Sequence, residues 1–173
     1  MNYYAKFVYP KKLTSLEKRY IQDYTENYYK YINQDLRDGH VTIYEDRIKN
    51  IDNALLKYDN KETLLVYREL NIYGDDLKAY INKLSKGTIL EKGYLSTSYK
   101  NTQVFDRRNI KMNIIIPPSF IGANIKYISK AKHENEYLIG RDTLLEIINI
   151  EVVQDIICDK VYVKARVKDN LHL

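Results

Sequence analysis

The spacing of apolar residues changes half-way along this chain, and that change limits the fold more than any single motif. Leu13, Leu16, Tyr20, Tyr24, Tyr28, Ile32 and Leu36 recur at steps of three and four. Such steps line up along one face of a helix. Thr14 and Glu17 have capping-box spacing at its start, and Asp38-Gly39 supplies a stop. A second helix is predicted over 45–58, with Ile48, Ile51, Leu55 and Leu56 inward, and a third over 75–84, ended by Gly87. Residues 57–61 read as a turn, and 63–70 as a short strand between these helices. From residue 88 the pattern becomes strand-like. Two short strands are expected within 88–98, around Glu91-Lys92-Gly93, and others over 110–116, 123–128, 136–139, 143–153 and 160–168. Pro117-Pro118 stops the third of these, and 101–108 is a polar loop or short helix. Gly140-Arg141-Asp142 predicts a hairpin between 136–139 and 143–153. Helices first and strands afterwards give an α+β domain, its helices segregated from a largely antiparallel sheet. No repeat, linker or boundary divides residues 1–173, so one domain is expected.

Composition narrows the function classes. Apolar residues make up 45% of the chain, enough to exclude a disordered protein. The net charge of +5 suits a pocket for an anionic dinucleotide, but no Lys/Arg run argues for nucleic acid. The 18 tyrosines accompany many Lys, Asn and Ile residues, as AT-rich coding would give, so they are not functional evidence by themselves. Cys158 is the only cysteine, which rules out an intrachain disulfide and a thiolate zinc site. His133 has no companion at ligand spacing, and no metal is expected. No segment approaches the ~20 apolar residues of a membrane helix. Residues 1–10 lack the apolar core of a signal peptide. The expectation is a secreted or delivered protein using another export route, a domain of a larger protein, or else a cytoplasmic one.

The chemistry-bearing residues are few. Glu134-Asn135-Glu136 precedes a strand-like run, and an extended Glu-x-Glu points both acids to one face. Ser96-Thr97-Ser98 lies in an earlier strand, and Arg68 ends the apolar run before that. Singly, each has an ordinary reading: a solvated strand end, an edge strand or turn, a surface ion pair with Glu69. Asn33 and Arg37 stand four apart and share a helix face.

Taken in order, an arginine, a strand Ser-Thr-Ser and a Glu-x-Glu resemble the arginine-type mono-ADP-ribosyltransferase toxins. Asp23-Tyr24-Thr25, Tyr31-Ile32-Asn33 and Leu36-Arg37 resemble the first helix of those enzymes, and Phe105-Asp106-Arg107-Arg108 their phosphate–nicotinamide loop. The resemblance spans about residues 13–152 and is nearest to the catalytic domains of clostridial binary toxins and Rho-modifying exoenzymes. The latter carry Gln-x-Glu, so Glu134 places this chain with the arginine-directed branch. The resemblance implies N-terminal helices on a mostly antiparallel two-sheet core. It implies NAD as co-substrate and a target protein whose arginine receives ADP-ribose. Glu136 would stabilise the oxocarbenium-like ribose, held by Ser96, and Glu134 would engage the acceptor. Arg68 would clamp a phosphate. Asn33, Arg37, Thr97, Ser98, Phe105 and Arg108 would complete the NAD site, with Phe105 stacking on nicotinamide and Arg108 pairing with pyrophosphate. Residues 130–133 correspond to the loop that relatives use to recognise their target. A delivery or inhibitor partner also fits such a toxin.

Three other readings stand beside this one. The acceptor could be a nucleic acid or a small guanidino compound, the chain could be an NAD glycohydrolase, or it could be an inactive fold that binds a partner. Glu134 favours transfer over hydrolysis, and the set of Arg68, Ser96 and Glu136 is more than a binding module needs.

Overall fold

The computed structural model describes residues 3–40, 43–101, 108–130, 135–156 and 158–170, with backbone alone at 169–170. Four helices come first, α1 (Tyr9–Lys12), α2 (Ser15–Asp23), α3 (Tyr29–Asp38) and α4 (Glu45–Leu56), and α5 (Gly74–Leu84) follows the first strand. The strands are β1 (Leu64–Leu70), β2 (Thr88–Glu91), β3 (Leu95–Ser98), β4 (Ile110–Ile116), β5 (Gly122–Asn124), β6 (Glu136–Ile139), β7 (Thr143–Val153) and β8 (Lys160–Asn170). The α+β reading and nearly every predicted element hold.

The predicted first helix is present, with an insertion that rotates its face. Thr14 caps it reciprocally: its hydroxyl accepts from Glu17 N at 3.1 Å, and Glu17 Oε2 accepts from Thr14 N at 2.8 Å. α2 then runs through a π-helical turn, Tyr24–Tyr28, into α3. Residues before and after such a turn are out of phase with a regular helix. Leu16, predicted inward, is therefore exposed, whereas Ile21, Tyr24 and Ile32 are buried. α3 ends at Gly39, whose φ of 71° closes the helix. On α4 the inward set is Ile48, Ile51, Ala54 and Leu55, and Leu56 is exposed. The N-terminal turns, Tyr4–Val8 and α1, were not foreseen. Tyr9 anchors them, buried edge-on against Tyr58 at 4.9 Å with its hydroxyl donating to Ala54 O. Several tyrosines thus fill core positions, and Tyr24, Tyr94 and Tyr137 are also buried.

The strands follow one hydrogen-bonded order, β2-β7-β8-β4-β1-β3-β6-β5. β4 and β8 run parallel, and the other neighbours run antiparallel. The order has a seam. β1 and β3 meet through a single register pair, Tyr67 opposite Ser98, whereas β1 and β4 pair along their whole length. The seam separates a five-strand half, β2-β7-β8-β4-β1, from a three-strand half, β3-β6-β5, the two-sheet character expected of the fold.

One expectation fails. β6 and β7 are not a hairpin: β6 lies between β3 and β5, and β7 between β2 and β8. Residues 140–142 cross from one half to the other instead, as do residues 92–94 between β2 and β3. The two crossings touch, Asp142 N donating to Lys92 O at 3.3 Å. Arg141 ties its crossing to α4 through Asp52 at 2.9 Å. The core runs through both halves, with Val66, Met112, Ile114, Val163 and Ala165 from the larger, Leu95, Ala123, Leu138 and Ile139 from the smaller, and Ile21, Ile32, Ile51 and Leu55 from the helices. No helix among the described residues is long and apolar enough to cross a membrane.

Candidate active site

The seam between the two halves gathers the central candidates. β3 alternates so that Leu95 and Thr97 are buried while Ser96 and Ser98 lie half-buried on the opposite face. Ser98 pairs with Glu136 in register, and Ser96 with Leu138. Ser96 and Glu136 are therefore diagonal neighbours on one face, within reach of each other. The Ser96 hydroxyl donates to Glu136 Oε1 at 2.7 Å. Glu136 is only 4% exposed, so its carboxylate is held in a largely dehydrated place. From the other side of the seam, Arg68 Nη1 donates to Ser96 O at 2.7 Å. Ser96 thus bridges the arginine, through its backbone, and the acid, through its side chain.

Arg68 sits in a balanced electrostatic setting. Burial pulls its guanidinium below the ordinary arginine value; Glu91, Tyr80 and Tyr24 oppose that shift, and Arg37 adds to it. An arginine keeps its proton at neutral pH through such a shift, because its ordinary value lies above ~12. Arg37 Nε donates to Glu91 Oε1 at 2.9 Å. Two guanidinium groups share this end of the cleft, with Glu91 between them, and their donor forks suit a diphosphate.

Asn33, expected among the NAD contacts, is bonded within the protein. Its Nδ2 donates to the Tyr24 hydroxyl at 3.0 Å and to Tyr94 O at 3.3 Å, and its Oδ1 accepts from Tyr94 N at 2.9 Å. It pins the crossing at 93–94 to α3. Gly93 packs so closely that a Cβ there would stand 2.9 Å from Asn33 Oδ1. Thr97 also faces away from the acids, its buried hydroxyl donating to Tyr137 O at 2.6 Å. Ser98 closes a local turn with Lys100, donating to its carbonyl at 3.0 Å. Arg108 Nη1 donates at 2.8 Å to the carbonyl oxygen of Glu69, the residue next to Arg68 on β1. Phe105 and Glu134 lie outside the described residues.

Three residues at the site were not foreseen. Tyr24 comes into the same setting through the π turn. Burial pushes its phenol up, Asn33 counters, and the charge of Glu136 adds to the rise, so the hydroxyl stays neutral. Glu91 orients Arg37, and Asn135 carries a left-handed backbone between the two acids. Tyr24 stands out of phase with Asn33 on a regular helix, so the periodicity carried no sign of it; the other two depend on contacts distant in sequence. A groove of about 300 Å³ along β1, β4 and β8 is lined by Arg68, Lys111 and Lys164 but by neither Ser96 nor Glu136. Among the described residues no three His, Cys, Asp or Glu side chains group as a metal site requires.

The family model for the ADP-ribosyltransferase exoenzyme domain matches residues 3–170. The chain belongs to the ADP-ribosyltransferase exoenzyme family. It is an NAD-dependent mono-ADP-ribosyltransferase of the toxin type, and NAD is its co-substrate. The match reaches beyond the 13–152 span at both ends. Among solved structures, Plx2a, an ADP-ribosyltransferase toxin from Paenibacillus larvae, is 28% identical with a TM-score of 0.80, over 93% of this chain and 90% of that one. The C3 exoenzyme of Clostridium limosum is 24% identical with a TM-score of 0.76, over 91% and 87%. The enzymatic component C2-I of the Clostridium botulinum C2-toxin is 22% identical with a TM-score of 0.77, over 95% of this chain and 45% of that one. No curated protein matches the chain in sequence.

Proposed function

We propose that this transferase hands ADP-ribose to an arginine of a target protein, acting as a delivered toxin or effector. The observation that carries the reading is Glu136 fixed by Ser96 beside Arg68, with a second glutamate two positions upstream. Breaking the nicotinamide–ribose bond builds positive charge on the ribose, and a fixed carboxylate beside the sugar stabilises it. Glu136 takes that role. Ser96 holds its carboxylate in one orientation, so no reorganisation is needed as the charge develops. A guanidinium carries five N–H donors, and the Ser96 carbonyl takes one from Arg68. Its remaining donors suit a phosphate of NAD, with Arg37 as the second cation and Arg108 toward the pyrophosphate. Phe105 stacks on the nicotinamide.

Glu134 serves the acceptor. A protonated guanidinium is a poor nucleophile, and a carboxylate at hydrogen-bonding distance orients it and takes its proton as the new bond forms. Asn33 and Thr97 support this site through the crossing at 93–94 and the β3–β6 pair. The test is to incubate the chain with labelled NAD and a cell lysate, then locate the modified side chain by mass spectrometry. ADP-ribose on arginine supports the reading. Modification of another residue type, or nicotinamide release with no labelled protein, overturns the arginine acceptor.

A further inference from the structure

Arg68 and Met112 stand opposite each other in the β1–β4 register, so their side chains leave the sheet on one face. That face is the inner one, since Met112 is buried and so is Val66, two residues before Arg68. Tyr80 of α5 comes down on this pair. Its ring is half-buried against the core, and its hydroxyl donates to Met112 Sδ at 3.5 Å. A thioether is among the weakest acceptors a side chain offers. Among the described residues the hydroxyl has no other hydrogen-bond partner. Tyr80 also walls a groove of about 660 Å³ with Asn71, Tyr73, Asp76 and Lys83, so it is a boundary residue and not sealed core.

The charges around this hydroxyl are those of the site. Burial pushes the phenol up, Arg68 counters, Glu91 adds to the rise and Arg37 counters again. The group therefore stays protonated at neutral pH, a neutral donor near both guanidiniums. An anion drawn to Arg68 and Arg37 arrives beside an O–H held only by sulfur. A phosphate oxygen is a far stronger acceptor, and a turn about the C–O bond redirects the proton. We infer that Tyr80 is a further NAD-binding residue, its hydroxyl leaving Met112 Sδ to donate to a diphosphate oxygen held by the two arginines. The inference rests on the reading that Arg68 and Arg37 take the diphosphate. The diphosphate is remote from the bond that breaks, so this contact strengthens ground and transition states alike and acts on affinity.

The experiment follows nicotinamide release at varied NAD, and measures the affinity for ADP by calorimetry. Tyr80→Phe keeps the ring and removes the hydroxyl. It should raise KM for NAD and Kd for ADP by ~10-fold while kcat stays within ~3-fold, because a hydrogen bond to a charged group is lost. Its unfolding midpoint should stay within ~4 °C of wild type. Met112→Leu removes the sulfur and leaves the hydroxyl, so KM and Kd should stay within ~3-fold of wild type. A contact that served packing alone would make the two variants alike. Unchanged KM and Kd in Tyr80→Phe, a loss confined to kcat, or an equal loss in Met112→Leu overturns the inference. Arg37→Gln tests the reading beneath it and should also raise Kd for ADP. If it does so while Tyr80→Phe does not, the inference alone fails. Unchanged Kd in Arg37→Gln overturns the diphosphate reading and the inference with it.

Discussion

The Ser96 hydroxyl reaches diagonally across the β3–β6 pair to Glu136 Oε1 at 2.7 Å, inside a site where that carboxylate is almost without water. A hydrogen bond to a charged group contributes ~1.5–3 kcal/mol, and a buried acceptor short of a donor costs a similar amount. Ser96→Ala should therefore lower the unfolding midpoint by a few degrees, because ~1 kcal/mol shifts it by ~2–4 °C in a domain of this size. Nicotinamide release should fall by much more, ~10–1000-fold, because the carboxylate loses its fixed orientation. Thermal unfolding and single-turnover kinetics check both. Normal activity per folded molecule would make Ser96 a structural residue only.

Asn33 and Gly93 form one packed unit, and their substitutions should not add. Asn33→Ala removes three hydrogen bonds and leaves Tyr94 N and O without that partner in a buried place, which should cost about 3 kcal/mol. Gly93→Ala drives a Cβ to 2.9 Å from Asn33 Oδ1 and 3.1 Å from its Cγ, which should cost ~1–3 kcal/mol. In the double variant both of those atoms are gone, so the second substitution should cost ~1 kcal/mol less than it does alone. Urea unfolding of the four chains measures the coupling. Simple additivity would mean that the crossing at 93–94 is not held by Asn33.

Glu17 should impose an acid limb on stability. Burial alone would raise its carboxyl, but the Lys57 ammonium at 2.6 Å and the Thr14 amide outweigh burial and hold it below the ordinary range. A carboxyl with a lower value folded than unfolded binds fewer protons folded. Its contribution is complete above the unfolded value of ~4.3 and is lost as pH falls through the lower folded value. Glu17→Gln should therefore flatten the fall of stability below about pH 4.3 relative to wild type. Denaturant unfolding at a series of pH values checks this, and parallel curves for the two chains would contradict it.

Much of the fold was legible because it is written locally. The Thr14–Glu17 cap, the Gly39 and Gly87 stops and the alternation of β4 and β8 depend on residues close in sequence. The π turn at Tyr24–Tyr28 was not legible, since the same heptad-like spacing of tyrosines fits a regular helix, and tertiary packing decides that Ile21 turns inward and Leu16 outward. The supposed hairpin at 140–142 failed for a similar reason. A short polar connection is compatible with either a reversal or a crossing, and the choice is made by β3 and β8, distant in sequence. In the site, Arg68, Ser96 and Glu136 come together as the resemblance implied. The bonds of Asn33 to Tyr94 and of Thr97 to Tyr137 were not legible, because those partners lie about 60 and 40 residues away.

The division of labour between the two acids is the centre of this account, and one paired measurement tests it. Glu136→Gln keeps the shape and still accepts from Ser96, but it removes the charge opposing the oxocarbenium. NAD affinity should change little, while nicotinamide release and protein labelling should both fall, by roughly 10²–10⁴. Glu134→Gln leaves that charge in place, so nicotinamide release in water should largely persist while arginine labelling disappears. Chromatography of nicotinamide and mass spectrometry of the labelled protein, on the same reactions, give both numbers for each variant. Equal loss of the two activities in Glu134→Gln, or nicotinamide release undiminished in Glu136→Gln, would contradict the account.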